Sequence, residues 1–157
     1  MNLPKMALKI LAPGFLGRNM FSPYRSVPND NWKGWWGENP PYHFPVFILT
    51  NHKRESIEME GGTTFHFVTD GINAALEKAF DSANGKDVRL GGGVNTIRQY
   101  LTVQLVDELH LAVSPVILGS GENLFLNLDL RSLGYKCVKN VSSDKAMHLV
   151  IKKSINT

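Results

Sequence analysis

The sequence has a single cysteine, Cys137, among its 157 residues. That count excludes an internal disulfide and a cysteine-based zinc site. It suits a reducing compartment, and Cys137 reads as a buried small hydrophobe. No apolar run approaches the roughly 18 residues that a membrane span requires. The opening "MNLPKMALKILAPGFLG" has a faint signal-peptide look, but Lys9 and Pro13 interrupt it and no small-x-small cleavage site follows. A cytoplasmic protein with no membrane partner is expected. Charge of one sign is also scarce: 17 Lys and Arg face 14 Asp and Glu, a net charge of +3. No basic stripe marks a nucleic-acid binder. The five histidines are scattered, no two at metal-ligand spacing, so no metal is expected. No serine or cysteine sits in a nucleophile elbow, and no carboxylate pair stands out as acid and base. Repeats and low-complexity tracts are absent.

What is present is ordinary globular composition, 43% hydrophobic and 20% charged, enough to bury a sizeable core. One domain over residues 14–153 is expected, preceded by an atypical segment 1–13. The clearest helix runs from Asp70 to Asn84. Asp70 is placed to cap it, Ile72, Ala75, Leu76, Ala79, Phe80 and Ala83 recur at helical spacing, and Gly85 suits a left-handed exit. Thr63 to Thr69 alternates like a strand, and "DVRL" makes a second strand after the helix. Strand, helix and strand with short connections form a right-handed crossover, so parallel pairing follows. Val46 to Thr50 reads as a central strand covered on both faces. A long strand is expected from Glu108 to Leu118, bent at Pro115. A hairpin of Tyr135 to Val141 and Met147 to Lys153 closes the chain. The fold class is α/β, with one mixed, mostly parallel sheet ending in an antiparallel hairpin.

Residues 22–45 fit neither period. They hold five of the eight prolines and all three tryptophans. Long irregular loops tend to be functional or mobile. Trp32, Trp35, Trp36 and Tyr42 either wall a planar ligand or pack the loop onto the sheet, and packing is the favoured alternative.

Three stretches could hold an anion. In "VRLGGGVNTIRQYL", Gly91, Gly92 and Gly93 join a strand to a helix beginning near Val94. The first N–H groups of a helix lack internal partners and carry partial positive charge. Glycines let a phosphate approach them, and Asn95 and Thr96 add side-chain donors. The alternative is a close helix-on-strand contact needing small residues. The pattern is neither G-x-G-x-x-G nor a P-loop. In "GFLGRNMF", Gly17, Arg18 and Asn19 open a helical turn where arginine can grip phosphate. In "LTNHKRE", Thr50, Asn51, His52, Lys53 and Arg54 follow a strand's carboxyl end, where open α/β sheets bind ligands. A solvated polar turn is the alternative there.

The run "VRLGGGVNTIRQYLTVQLVDELHLAVSPVILGSGENLF" resembles the dihydrofolate reductase-like superfamily. Within it, the resemblance is to the C-terminal reductase domain of the bifunctional riboflavin-biosynthesis deaminase–reductase and its stand-alone bacterial relatives. It extends over roughly Gly14 to Lys153. The resemblance implies a three-layer α/β fold, NADPH as cofactor, a small pteridine- or aminopyrimidine-like heterocycle as substrate, and a homodimer. It places Gly91, Gly92, Gly93, Val94, Asn95 and Thr96 on the pyrophosphate, with Gly17, Arg18 and Asn19 at a second helix start on the same phosphates. Thr50, Asn51 and His52 fall near the 2′-phosphate. The scarcity of acid–base and nucleophilic groups fits hydride transfer, where the cofactor carries the chemistry. Family members open with a strand and helix that "MNLPKMALKILAPG" does not resemble. No catalytic residue is therefore assigned. NADPH binding is expected ahead of turnover, and an exposed sheet edge is expected to favour assembly with a partner.

Overall fold

The apolar run Pro45–Leu49 organises the first half of the chain. The computed structural model describes residues 13–24 and 28–154. Its elements are β1 (Gly14–Gly17), α1 (Arg18–Phe21), β2 (Pro45–Leu49), β3 (Ile57–Glu58), β4 (Thr64–Val68), α2 (Gly71–Ala83), β5 (Arg89–Leu90), α3 (Val94–Thr102), β6 (Glu108–Val113), β7 (Tyr135–Ser142) and β8 (Met147–Lys153). The fold class is α/β. Contacts divide the chain into two units that meet between Thr96 and Ile97, within α3. Residues 1–12 of the expected atypical segment lie outside the described residues.

The first unit holds a five-stranded sheet in the order β3-β4-β2-β1-β5. β4, β2, β1 and β5 are parallel, and β3 runs antiparallel to β4. The period of two sorts the side chains. Leu16, Val46, Ile48 and Phe65 lie together in one buried cluster with Phe21. The alternate positions Phe15, Phe47 and Val68 are buried as well. This two-sided burial is why β2 reads as a continuous apolar run. α2 packs on β1, β2 and β4. It buries Ala75, Ala79 and Ala83, four residues apart, whose short side chains let a helix lie close to a sheet. Asp70 precedes α2 but makes no side-chain cap, and the left-handed exit uses Asn84 (φ 51°) as well as Gly85 (φ 78°).

The aromatic loop covers the other face. Trp36 stacks on Phe65 with ring centroids 5.8 Å apart, and Tyr42 meets both rings edge-on. The Trp32 indole N–H donates to the Phe21 carbonyl at 2.7 Å. Packing is therefore the alternative these aromatics adopt. Trp32, Trp36 and Tyr42 spend their faces on the core, and only Trp35, 55% exposed, stays at the surface.

The second unit is a three-stranded antiparallel sheet, β6-β8-β7. Its core gathers Leu101, Tyr135 and Ile151, with Leu109, Leu111 and Phe125 against them. The Tyr135 hydroxyl donates to the Val106 carbonyl at 2.8 Å, which satisfies the one polar atom of a buried ring. Two expectations need correction here. The strand expected to reach Leu118 stops at Val113, because Pro115 cannot donate to a ladder and the Val116 N–H turns back onto the Ser114 carbonyl. Leu118 and its neighbours are then exposed, Ile117 almost completely. The mixed, mostly parallel sheet and the C-terminal antiparallel hairpin are both present, as two ladders. Cys137 is exposed rather than buried, because β7 is an edge strand interrupted by a bulge between Cys137 and Lys139.

His66 lies on β4, its ring stacked 5.2 Å from Phe47 and its Nδ1 2.8 Å from the Ser56 hydroxyl. Burial, and then the charge of Lys78, hold its pKa below the ordinary histidine value. A lowered folded-state pKa means the unfolded chain binds the proton more readily. Stability is thus complete above the unfolded value of about 6.5 and falls as pH drops toward the folded value. His66→Gln should flatten the fall in melting temperature between pH 7 and 5. Parallel pH curves for the two proteins would remove His66 from that slope.

Candidate functional site

In the first unit β2, β1 and β5 are adjacent and parallel, so their carboxyl ends leave the sheet on one side. Thr50 follows β2, Gly17 ends β1, and Gly91 follows β5. The three sequence stretches therefore form one rim across two interstrand spacings, about 10 Å. Crevices beyond strand carboxyl ends are where open α/β sheets bind ligands.

The glycines along this rim differ in what they need. A Cβ on Gly91 would run into the Leu16 side chain, and one on Gly17 into the Thr96 hydroxyl, both nearer than real Cβ atoms come. These two glycines are explained by close packing of the turn on β1. The contact is held by the Gly17 N–H donating to the Gly92 carbonyl at 2.6 Å. Gly92 is buried with φ 117°, a conformation costly for any other residue. The Gly92–Gly93 peptide is cis. Gly93 is different. Its φ lies outside the left-handed region, and a Cβ there would meet only Met20, at an ordinary 3.5 Å. Internal packing does not account for its missing side chain.

Gly93 leads directly into α3, nine residues long, whose first N–H groups face outward as at any helix start. Val94 is its first residue and Asn95 its exposed second. Thr96 is buried against Gly17, so its hydroxyl serves the packing of the turn. α1 is a single four-residue turn, too short for an appreciable macrodipole. What it brings to the rim is the Arg18 guanidinium, which donates to the Tyr24 carbonyl, and the exposed Asn19.

At the β2 end, Thr50 is buried. Its backbone N–H donates to Val68 and its hydroxyl accepts from the His52 N–H at 3.1 Å, which shapes the turn. Asn51 and Lys53 are exposed and His52 is half-buried. Arg54 is committed to the aromatic loop. It donates to the carbonyls of Trp32, at 2.6 Å, and of Asp30, and its guanidinium lies 5.0 Å from the Phe67 ring centre. Burial lowers its pKa and Asp30 partly restores it. The Asp30 carboxylate also meets His52 Nε2 at 3.1 Å. Arg18, Asp30, Thr50, His52 and Arg54 line one shallow cleft.

The residues present fit a dinucleotide's phosphates. Backbone at Gly93 has clearance, the α3 start offers donors, and Arg18, His52 and Lys53 supply cationic or hydrogen-bonding side chains. Sequence reasoning missed Asp30 and Met20. Met20 sits in a helical turn that reads as a polar opening. Asp30 lies in "PNDN", which signals only a turn. No group of three or more potential metal ligands occurs among the described residues, and no helix among them is long and apolar enough to cross a membrane.

The model of the RibD C-terminal domain family matches residues 15–149. The "uncharacterized protein YyaP" of Bacillus subtilis (strain 168) is 37% identical over 65 residues, 41% of this chain but only 34% of that protein. The matched stretch thus spans about a third of that relative's length. Among solved structures, the crystal structure of a "putative riboflavin biosynthesis protein" from Shewanella sp. PV-4 aligns with a TM-score of 0.66 at 23% identity. It takes in 98% of this chain and 82% of that one, a likeness of fold.

Proposed function

Because the chain belongs to the RibD C-terminal domain family, a family of reductase type, we propose that it binds NADPH along the β2–β1–β5 rim and reduces a small pteridine- or aminopyrimidine-like heterocycle, of the kind handled in riboflavin biosynthesis. The observation that carries this reading is Gly93, a glycine that packing does not require, set where a helix begins beyond a parallel strand. When bound, the nicotinamide supplies the hydride. The chain's own part is to bind and orient. The Gly93 backbone and the start of α3 seat the pyrophosphate, with Arg18 beside it as a bidentate donor. His52 and Lys53 are placed for the 2′-phosphate. We assign the activity to the cytoplasm, where an exposed lone thiol such as Cys137 stays reduced.

The test is a titration with NADPH and NADH, followed by an assay of NADPH oxidation with pteridine and aminopyrimidine substrates. A charge-assisted contact contributes about 1.5–3 kcal/mol, so NADPH should bind roughly ten- to a hundredfold tighter than an analogue lacking that contact. The double variant His52→Ala, Lys53→Ala should narrow the NADPH-to-NADH ratio at least severalfold with little change in melting temperature. Arg54 is left intact because it holds the loop. An unchanged ratio would remove this stretch from the site, and no NADPH binding at all would overturn the cofactor reading.

We also propose a homodimer through β6. That strand pairs with β8 at all six positions without a bulge and carries neither lysine nor proline. The other edge, β7, has Lys136, Lys139 and a bulge, devices that discourage strand addition. Exposed Val113 and the exposed run Val116, Ile117 and Leu118 extend the unprotected edge. Light scattering should give a dimer mass, and Val113→Lys should shift it to monomer. A monomeric native chain would end this reading.

A further inference from the structure

The cleft at the β2 end already contains an anion of the protein's own. Asp30 reaches it from the aromatic loop, far from His52 and Arg54 in sequence. Its carboxylate lies 3.1 Å from His52 Nε2 and 3.9 Å from Arg54 Nε, and its carbonyl accepts from the same guanidinium. Asp30 itself is mostly exposed, with 67% of its side chain open to solvent, so burial does not force it there. Trp32, two residues on, fixes the approach, its indole bonded to Phe21 and its carbonyl to Arg54. A loop so anchored, with Arg54 as its tie, holds the carboxylate against His52, a side chain proposed above to receive the phosphate at this end of the rim.

We infer that Asp30 is a specificity-determining residue of this site: its carboxylate competes with the cofactor's 2′-phosphate for His52. This rests on the NADPH reading above. A dianionic phosphate entering the cleft must displace the carboxylate from His52 or lie beside it. Either course penalises NADPH, because like charges at this range repel and the displaced partners lose a hydrogen bond. A cofactor with a 2′-hydroxyl carries no such charge and meets no such penalty. The preference for NADPH is therefore smaller than the cations alone would give, and Asp30 sets how much smaller.

The experiment titrates the native chain, Asp30→Asn and Asp30→Glu with NADPH and with NADH, alongside melting temperature and tryptophan emission. Asp30→Asn keeps the shape and the backbone carbonyl but removes the charge. It should tighten NADPH about tenfold, which corresponds to one charged contact, and leave NADH within about twofold. Asp30→Glu keeps the charge and should bind NADPH no better than the native chain. NADPH binding in the native chain should also shift tryptophan emission, because the loop that carries Asp30 carries Trp32, and the shift should shrink in Asp30→Asn. If Asp30→Asn leaves both affinities unchanged, or weakens both together, Asp30 only holds the loop and the inference is overturned. If none of the three proteins binds either dinucleotide, the cofactor reading itself falls and takes this inference with it.

Discussion

Replacing Gly17 with alanine should lower the melting temperature by about 5–10 °C, at roughly 2–4 °C per kcal/mol for a chain of this size. The added methyl would overlap the Thr96 hydroxyl and press on the Thr96 Cβ at 3.2 Å and the Gly93 nitrogen at 3.3 Å. Thr96 is buried, so its hydroxyl has nowhere to swing. Overpacking of this kind costs about 1–3 kcal/mol, and two rigid neighbours place it at the upper end. The same methyl would push the β1 end away from the glycine turn and lengthen the Gly17-to-Gly92 hydrogen bond. Thermal melts of Gly17→Ala, Thr96→Ala and the double variant form a cycle that isolates the clash. The double variant should be more stable than the sum of the single losses predicts. Strict additivity would mean that Gly17 matters for some reason other than Thr96.

Gly93→Ala should do the opposite, sparing the fold and disabling the site. Its φ lies outside the left-handed region, and the new Cβ would touch only the Met20 side chain, at 3.5 Å. The melting temperature should stay within a few degrees. A methyl standing between a phosphate and the backbone donors removes about one charge-assisted hydrogen bond, 1.5–3 kcal/mol, so NADPH affinity should fall by about ten- to a hundredfold. Gly92→Ala is the poorer probe, because at φ 117° any side chain strains the turn and binding and folding fail together. Native NADPH affinity in a well-folded Gly93→Ala protein would make the whole glycine turn structural.

The elements that were legible in the sequence are those whose order is local. The crossover from β4 through α2 to β5 follows from alternation around Phe65 and from the apolar spacing through Ala75, Ala79 and Ala83. β2 was legible because burial on both faces leaves an unbroken apolar run. β3 is two residues long and β1 only four, two of them glycine, and neither gives a period to detect. The strand at Glu108 ends sooner than composition suggests, because "VIL" after Pro115 is strand-like while the proline ends the ladder.

The site divides in the same way. The glycine turn and the polar stretch after β2 could be named from composition and their place after strands. Which glycine serves packing and which leaves space could not, because Leu16 and Thr96 lie far from Gly91 and Gly17 in sequence. Asp30 is the clearest omission. Its partners are 22 and 24 residues away, and no periodicity encodes an ion pair between a loop and a strand end.

The tryptophans have a consequence for how this protein is observed. All three lie within five residues, and Trp32 and Trp35 stand edge to face with centroids 4.9 Å apart, a geometry that couples their electronic transitions. Every indole chromophore thus belongs to the unit that carries the rim, and the β6-β8-β7 unit has none. Tryptophan fluorescence, excited apart from tyrosine, and indole circular dichroism follow one unit only, while far-ultraviolet dichroism sums over both. If the units melt separately, the two signals will give two midpoints. If they coincide, the protein unfolds as a single cooperative body.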